Sequence, residues 1–274
     1  MNTMDQEKLE IQKQWDNDPC GSETVQDREP ESLEFYRAIR KHRYEEYAPW
    51  FDEVVGFQDW HDKDILEIGV GLGSDHYRFA VNGNHMTALD LSKEHLRHTV
   101  KHLQLEGLET NPIYGDAEEM PFPDHSFDVV YSFGVLHHTP NTERAIAEVY
   151  RVLKPGGTAI IGLYHKYSLF LIFRTIIYNG ILKAGLFSKG WRKLVSEIEH
   201  RSEDSDAVPL VKVYSRREAK RLFNSFARVN SECCHVEASH FVYFERLFRC
   251  LGRRNLERLF AGAGWYVVIH ATKA

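Results

Sequence analysis

Residues 66–75 read LEIGVGLGSD: a short apolar run breaks into glycine at 69, 71 and 73, and helical material follows. A buried strand that passes through such a loop into a helix is a unit of a parallel α/β sheet. It brings backbone N–H groups close to a ligand at the carboxyl edge of the sheet. Many nucleotide sites share this shape, so the spacing has to narrow the ligand. A dinucleotide fingerprint, G-x-G-x-x-G, needs glycine at position 74, and Ser74 stands there. Glu67 lies inside the strand, where its carboxylate would repel a pyrophosphate but suits a ligand with an ammonium group. S-adenosylmethionine is such a ligand.

The rest of the chain alternates in the way this unit demands. ILEIGV, HMTALD, NPIYGD, FDVVYSF and TAIIGLYH read as strands. Between them, a helix from about Ser74 to Val81 and the stretch LSKEHLRHTVKHLQLEG supply crossovers, with Gly107 as a C-cap. A further helix lies in TPNTERAIAEVYRVLKPGG, started by Thr139 or Asn141 and ended by Pro155-Gly156-Gly157. ARVNSECCHVE and GWYVVIHATK add two more strands. The expected fold is α/β: a doubly wound, mostly parallel seven-stranded sheet.

Four regions are expected. Residues 1–60 form an N-terminal helical extension or lid, whose second helix runs from about Glu31 to Tyr47 with Ser32 as N-cap. Residues 61–165 are the ligand-binding core, 166–228 a helical insertion for acceptor recognition, and 229–274 the strands that complete the sheet.

Composition excludes other classes. Of 274 residues, 43% are hydrophobic and 12% aromatic, which is enough for a packed core and too much for a disordered chain. A net charge of −6 argues against a nucleic-acid binder that works by charge alone. Cys20, Cys233, Cys234 and Cys250 include no C-x-x-C pair, so no disulfide scaffold is expected and a cytoplasmic location is. The first twenty residues lack a signal-peptide core, and the most apolar window, Tyr167 to Phe187, contains Arg174 and Lys183, so no transmembrane segment is expected.

Two more acids support the ligand. Asp90 ends the second strand, where ribose hydroxyls are held, and Asp116 ends the third, within reach of an adenine amino group. LEIGVGLG, the acid in TALDLS, GDAEEMPFPDHSFDVVYSFGVLHH and RAIAEVYRVLKPGG together resemble the class I S-adenosylmethionine-dependent methyltransferases, and the last two most resemble those of the quinone and sterol pathways. The resemblance implies that Glu67 and Gly69 contact the methionine amino end, with Gly71 and Gly73 in the same loop. It places Asp90 at the ribose with Leu91 also binding the cofactor, Asp116 and Ala117 at the adenine, and Ser132 and Phe133 at the pocket floor. Val70 stands where the family often has cysteine or threonine. WDNDPCG resembles a bacterial subgroup whose extension folds over the cofactor.

Methyl transfer from a sulfonium is an in-line displacement, for which positioning can supply ~7–11 kcal/mol. A base is needed only when the acceptor must lose a proton. His137 and His138 after the fourth strand and His165 after the fifth are candidates, because strand carboxyl ends carry the site. Each has a plain alternative as a helix cap or pocket wall. Their spacing matches no familiar metal motif, so no metal is expected. Trp15, Tyr36, Tyr44, Tyr47 and Trp50 pack the extension or close over the sulfonium by cation–π contact, Tyr44 and Tyr47 being the foremost candidates for the second role. The stretch YSLFLIFRTIIYNGILKAGLFSKGW is read three ways: acceptor pocket or lid, core, or homodimer interface. The basic stretch FVYFERLFRCLGRRNLERLF covers an acidic acceptor group or is a solvated face.

The leading expectation is a methyltransferase acting on a small molecule with a hydrophobic or aromatic part, leaving S-adenosylhomocysteine as product. A protein or RNA methyltransferase and a non-catalytic cofactor-binding regulator are the alternatives. SFGV stands where a base-methylating enzyme would carry an N/D-P-P-aromatic tetrad, so no nucleic-acid partner is expected.

Overall fold

The computed structural model describes residues 8–9, 11–13, 15–16, 28–199 and 209–274. Seven strands form one sheet: β1 (Asp64–Ile68), β2 (His85–Asp90), β3 (Asn111–Tyr114), β4 (Phe127–Phe133), β5 (Leu153–Tyr164), β6 (Arg228–Cys234) and β7 (Tyr266–Thr272). Their order is β3-β2-β1-β4-β5-β7-β6, with β7 antiparallel to both neighbours and the other pairs parallel. The order reverses between β1 and β4. A crevice opens at such a switch point, beyond the carboxyl ends of the strands.

The strands read as continuous apolar runs because both faces are covered. Along β1, Leu66 and Ile68 pack with Ile146 and Val149 of a helix at Thr142–Val152, whereas Ile65 faces Phe57, Phe79 and Tyr131 on the other side. The antiparallel β5–β7 pair brings Tyr164 opposite Tyr266, at the end of the sheet that carries the crevice.

The helices are α1 (Leu33–Lys41), α2 (Phe51–Val55), α3 (Ser74–Ala80), α4 (Lys93–Leu105), α5 (Thr142–Val152), α6 (Gly185–Ser196), α7 (Arg216–Leu222), α8 (Glu245–Arg249) and α9 (Arg253–Leu259). Ser32 caps α1 as expected, accepting from the Phe35 N–H at 3.1 Å. The helix does not run unchanged to Tyr47: from His42 to Tyr47 it widens to a π-helix, a form frequent at functional sites. That segment sends Arg43 and Tyr44 to the same carboxylate. Gly107 does follow α4 with a left-handed φ of 73°.

Asn141, not Thr139, caps α5, its Oδ1 accepting from the Arg144 N–H at 3.0 Å. Asn141→Ala is expected to cost about 1 kcal/mol of stability in urea unfolding; an unchanged midpoint would show the cap to be idle. Pro155-Gly156-Gly157 do not end this helix. The chain leaves it at Leu153, which has extended φ and ψ and already pairs with Phe127, so the three residues lie within β5.

After β5 a thirteen-residue π-helical segment, Phe170–Leu182, leads into α6. It leaves Ile181, Leu182, Phe187 and Trp191 exposed. Among the described residues no helix is long and apolar enough to cross a membrane. Cys233, Cys234 and Cys250 are free thiols; Cys20 and most of WDNDPCG lie outside the described residues.

Candidate active site

A cavity of about 320 Å³ opens at the switch point. Its floor is the glycine loop. Gly69 adopts φ +78°, and a Cβ there would fall 2.2 Å from Val135 Cγ2, so the β1 loop and the loop after β4 touch only because position 69 has no side chain. Gly71, at φ +51°, has open space where its Cβ would be and lines the cavity. Gly73 does not line it and packs on Thr99 of α4.

The carboxylates gather as the spacing predicts. Glu67 is buried on the cavity wall, with its Oε2 2.9 Å from His76 Nδ1. Burial, chiefly, pushes the His76 pKa down to about 3. This ring is therefore neutral at pH 7, and its Nε2 meets Thr110 Oγ1 at 2.7 Å. Burial, with the charges of Asp75 and Asp90, raises Glu67 well above the usual carboxyl range against the pull of Arg43. A buried acid with a neutral partner is suited to a cation.

Asp75, inside the quoted motif but not singled out by sequence, is the centre of a buried polar cluster. Arg43 meets it through two hydrogen bonds of 2.7 and 2.6 Å, and the Tyr44 and Tyr131 hydroxyls donate at 2.6 and 2.8 Å. Burial alone would raise this acid, but the guanidinium charge and these donors hold it below the usual range. Tyr44 is thus committed to Asp75 and does not line the cavity.

Asp90 joins the loop to α4: Oδ2 accepts from the Val70 N–H at 2.9 Å and meets His95 Nδ1 at 3.2 Å, and Oδ1 accepts from the Ser92 N–H at 2.8 Å. With two lone pairs per oxygen, Oδ1 retains one for a hydroxyl in the cavity. Asp116 is held by Lys8 at 2.5 Å. Lys8, Ile11 and Trp15 lie at i, i+3 and i+7 and all face the cavity, which is one helical face. Asp16 accepts from Ser92 Oγ at 2.6 Å, so the N-terminal segment is fixed to the core at both ends.

Leu91, Ala117 and Phe133 line the cavity; Ser132 does not, its hydroxyl donating to the Ile68 carbonyl at 2.9 Å. Tyr47 lines it and shares a 2.6 Å hydrogen bond with Tyr266. The three histidines separate. His138 lines the cavity. His137 is fully buried behind it, its ring centroid 3.8 Å from that of Tyr164. His165 lies off the cavity and donates from Nδ1 to the Gly264 carbonyl at 3.0 Å, because the chain there bridges to Tyr214. It is not placed to meet an acceptor. Sequence reasoning missed Arg43, Tyr164, Glu199 and Tyr266, all on the cavity wall. Glu199 carried no motif, and the two tyrosines meet only through strand register.

His235, Glu237 and His240 bring ligand-type atoms within 4.8 Å of one another, outside the cavity lining but behind Tyr47, whose ring lies 4.9 Å from that of His235. Trp50 Nε1 donates to His235 Nδ1 at 3.1 Å and the Glu237 N–H to His240 Nδ1 at 3.3 Å, so both Nδ1 atoms are committed.

Residues 66–161 match the family described as methyltransferase domain. A stretch of 185 residues is 28% identical to a sterol 24-C-methyltransferase of Gibberella zeae, covering 56% of this chain and 47% of that one. A phthiotriol/phenolphthiotriol dimycocerosates methyltransferase of Mycobacterium leprae is 42% identical over 97 residues, 35% of each chain. This chain spans between a third and a half of the length of the sterol methyltransferases it matches. The fold resembles that of the 1,6-didemethyltoxoflavin-N1-methyltransferase of Burkholderia thailandensis at TM-score 0.54 and 16% identity, over 100% of this chain and 92% of the other. That neighbour's structure holds S-adenosylhomocysteine, the demethylated form of S-adenosylmethionine. The cavity fits it in charge and shape: a buried carboxyl without a cationic partner in hydrogen-bond contact, an unused lone pair on Asp90, and a glycine with nothing over its Cβ position.

Proposed function

We propose that this protein transfers a methyl group from S-adenosylmethionine to a small-molecule acceptor held at the Tyr164 end of the cavity. The reading is carried by one observation: Glu67, Asp90 and Asp116, from three neighbouring strand ends, line a single cavity with the glycine loop. Glu67 and Gly69 would hold the amino end, Asp90 the ribose, and Asp116 and Ala117 the adenine, with Phe133 beneath. When bound, the cofactor supplies an electrophilic methyl carbon on a positively charged sulfur.

The chain's own residues do the rest. Ile11 and Trp15 cover the cavity and exclude water, which strengthens every charge contact beneath them. Lys8 fixes the cover through Asp116 and Glu118. Tyr47, Phe133, Tyr164 and Tyr266 give the acceptor end aromatic walls, which suit an acceptor with a hydrophobic or aromatic part. The sterol and phthiotriol acceptors named for the relatives agree with such walls. Glu199 brings the middle of the 166–228 region to this site, which supports a role for that region in acceptor recognition. Free thiols at Cys233 and Cys234 support a reducing, cytoplasmic location.

Calorimetry with S-adenosylhomocysteine tests the reading. The wild-type chain should bind, and Asp90→Ala should weaken binding at least tenfold, or about 1.4 kcal/mol. Absence of binding by the wild-type chain would overturn the proposal.

A further inference from the structure

We propose that His138 takes a proton from the acceptor, that Glu199 stabilises the imidazolium so formed, and that the acceptor is therefore a protic compound bearing O–H, N–H or S–H. The assignment rests on the methyl-transfer reading above.

The ring of His138 has a defined tautomer. Nδ1 lies 2.7 Å from the carbonyl oxygen of Leu210, which only accepts, so Nδ1 carries the hydrogen and Nε2 is bare. This bare nitrogen is buried and has no hydrogen-bond partner, on a residue only 4% exposed that lines the cavity. A buried acceptor atom left unpaired carries a desolvation penalty, and a site that retains one has a use for it.

Glu199 Oε1 stands 4.0 Å from Nε2. Its hydrogen-bond partner is the Tyr164 hydroxyl, at 2.5 Å, and no lysine or arginine among the described residues pairs with it. An anion with no cation beside it among the described residues would gain one when Nε2 is protonated, so the pair favours the charged product of proton transfer. The other groups facing His138 do not compete for that role. His137 is a ring neighbour at 4.2 Å and off the cavity, and the Trp15 ring meets it edge-on in a T-shaped contact at 5.8 Å. Lys212 directs its ammonium to the Thr139 and Pro140 carbonyls at 2.8 and 2.7 Å.

The step balances without another reactant. The X–H bond of the acceptor breaks, and its proton goes to Nε2. The electron pair left on X forms the bond to the methyl carbon, and the carbon–sulfur pair returns to sulfur, leaving a neutral thioether. The imidazolium later passes its proton to water, and the Glu199 carboxylate is unchanged. His138 is the catalytic residue in this scheme and Glu199 a positioning residue.

Two measurements on the full chain test the assignment. Long-range proton–nitrogen spectra of the histidine rings, with and without S-adenosylhomocysteine and assigned through His138→Gln, should show hydrogen on Nδ1 and a bare Nε2. Hydrogen on Nε2 would overturn the proposal. Second, methyl gain is followed by mass spectrometry in a fractionated metabolite extract. His138→Gly should lose about 10²–10⁴-fold in rate, as removal of a general base does, and added imidazole should restore part of it. Glu199→Gln should lower the rate about tenfold or more, while both variants bind S-adenosylhomocysteine within about twofold of wild type. A wild-type product with a new quaternary ammonium, sulfonium or carbon-bound methyl would overturn the assignment. Absence of cofactor-product binding by the wild type overturns the methyl-transfer reading itself, whereas binding with the wrong tautomer overturns only the role of His138.

Discussion

Replacing Arg43 with leucine is expected to lower the unfolding free energy by about 3 kcal/mol, the lower end of the range for breaking a buried ion pair because the guanidinium borders a cavity. The cause is Asp75. Its carboxylate is almost fully buried, and Arg43 is its only cationic partner among the described residues. Tyr44 and Tyr131 would remain as donors but carry no charge. The pH dependence has a definite sign. With Arg43 present the folded-state pKa of Asp75 lies below its unfolded value, so its contribution to stability is full above the unfolded value and is lost as pH falls through the folded one. Without Arg43 burial dominates and the folded value rises. Stability from Asp75 is then present below the unfolded value and lost as pH rises through the folded one. The gap between wild type and Arg43→Leu in urea unfolding should therefore narrow from pH 7 toward pH 4. A gap that is constant, or that widens in acid, would remove Asp75 as the cause. The same variant should loosen the π-helical segment from the glycine loop, which exchange of the amide hydrogens of residues 42–47 would report.

Gly69→Val is expected to cost about 3–5 kcal/mol, from backbone strain of ~1–3 kcal/mol at positive φ and a similar amount for overpacking. The position adopts φ +78°, and its Cβ would stand 2.2 Å from Val135 Cγ2 and 2.7 Å from Cγ1. Val135 belongs to the loop that carries His138, so the strain passes to the proposed acceptor end as well as to the cofactor end. Gly71→Ala is the informative control: its Cβ meets nothing within 4 Å. Stability should fall by only about 1–2 kcal/mol from the left-handed backbone, and any further loss should appear in S-adenosylhomocysteine binding. Equal stability losses for the two variants would show that the Val135 contact does not set the loop.

The glycine-loop half of the cavity was legible in the chain because its determinants are local. A strand, a glycine loop and a helix follow one another without interruption, and Glu67 and Asp90 stand at fixed positions relative to strand ends. Asp75 sat in the same motif, and its cluster was hidden only because its partners, Arg43, Tyr44 and Tyr131, come from two distant elements. Tyr44 is expected over the sulfonium, but its hydroxyl is bonded to Asp75 and its side chain is off the cavity lining. The fault with His165 was similar: adjacency to a strand end does not fix side-chain direction, and the bridge to Tyr214 turns this ring away.

The periodicity of apolar runs and the placement of glycines determined the doubly wound sheet, its switch point and the acids at its carboxyl edge, since each depends on backbone geometry within a few residues. The Tyr164 end of the cavity was decided only in three dimensions. Antiparallel pairing of β5 with β7 sets Tyr164 beside Tyr266 across 102 residues of chain, and the fold returns Glu199 to within 4.0 Å of His138. Contacts of that kind have no period and no spacing, because what holds them is the packing of the whole molecule.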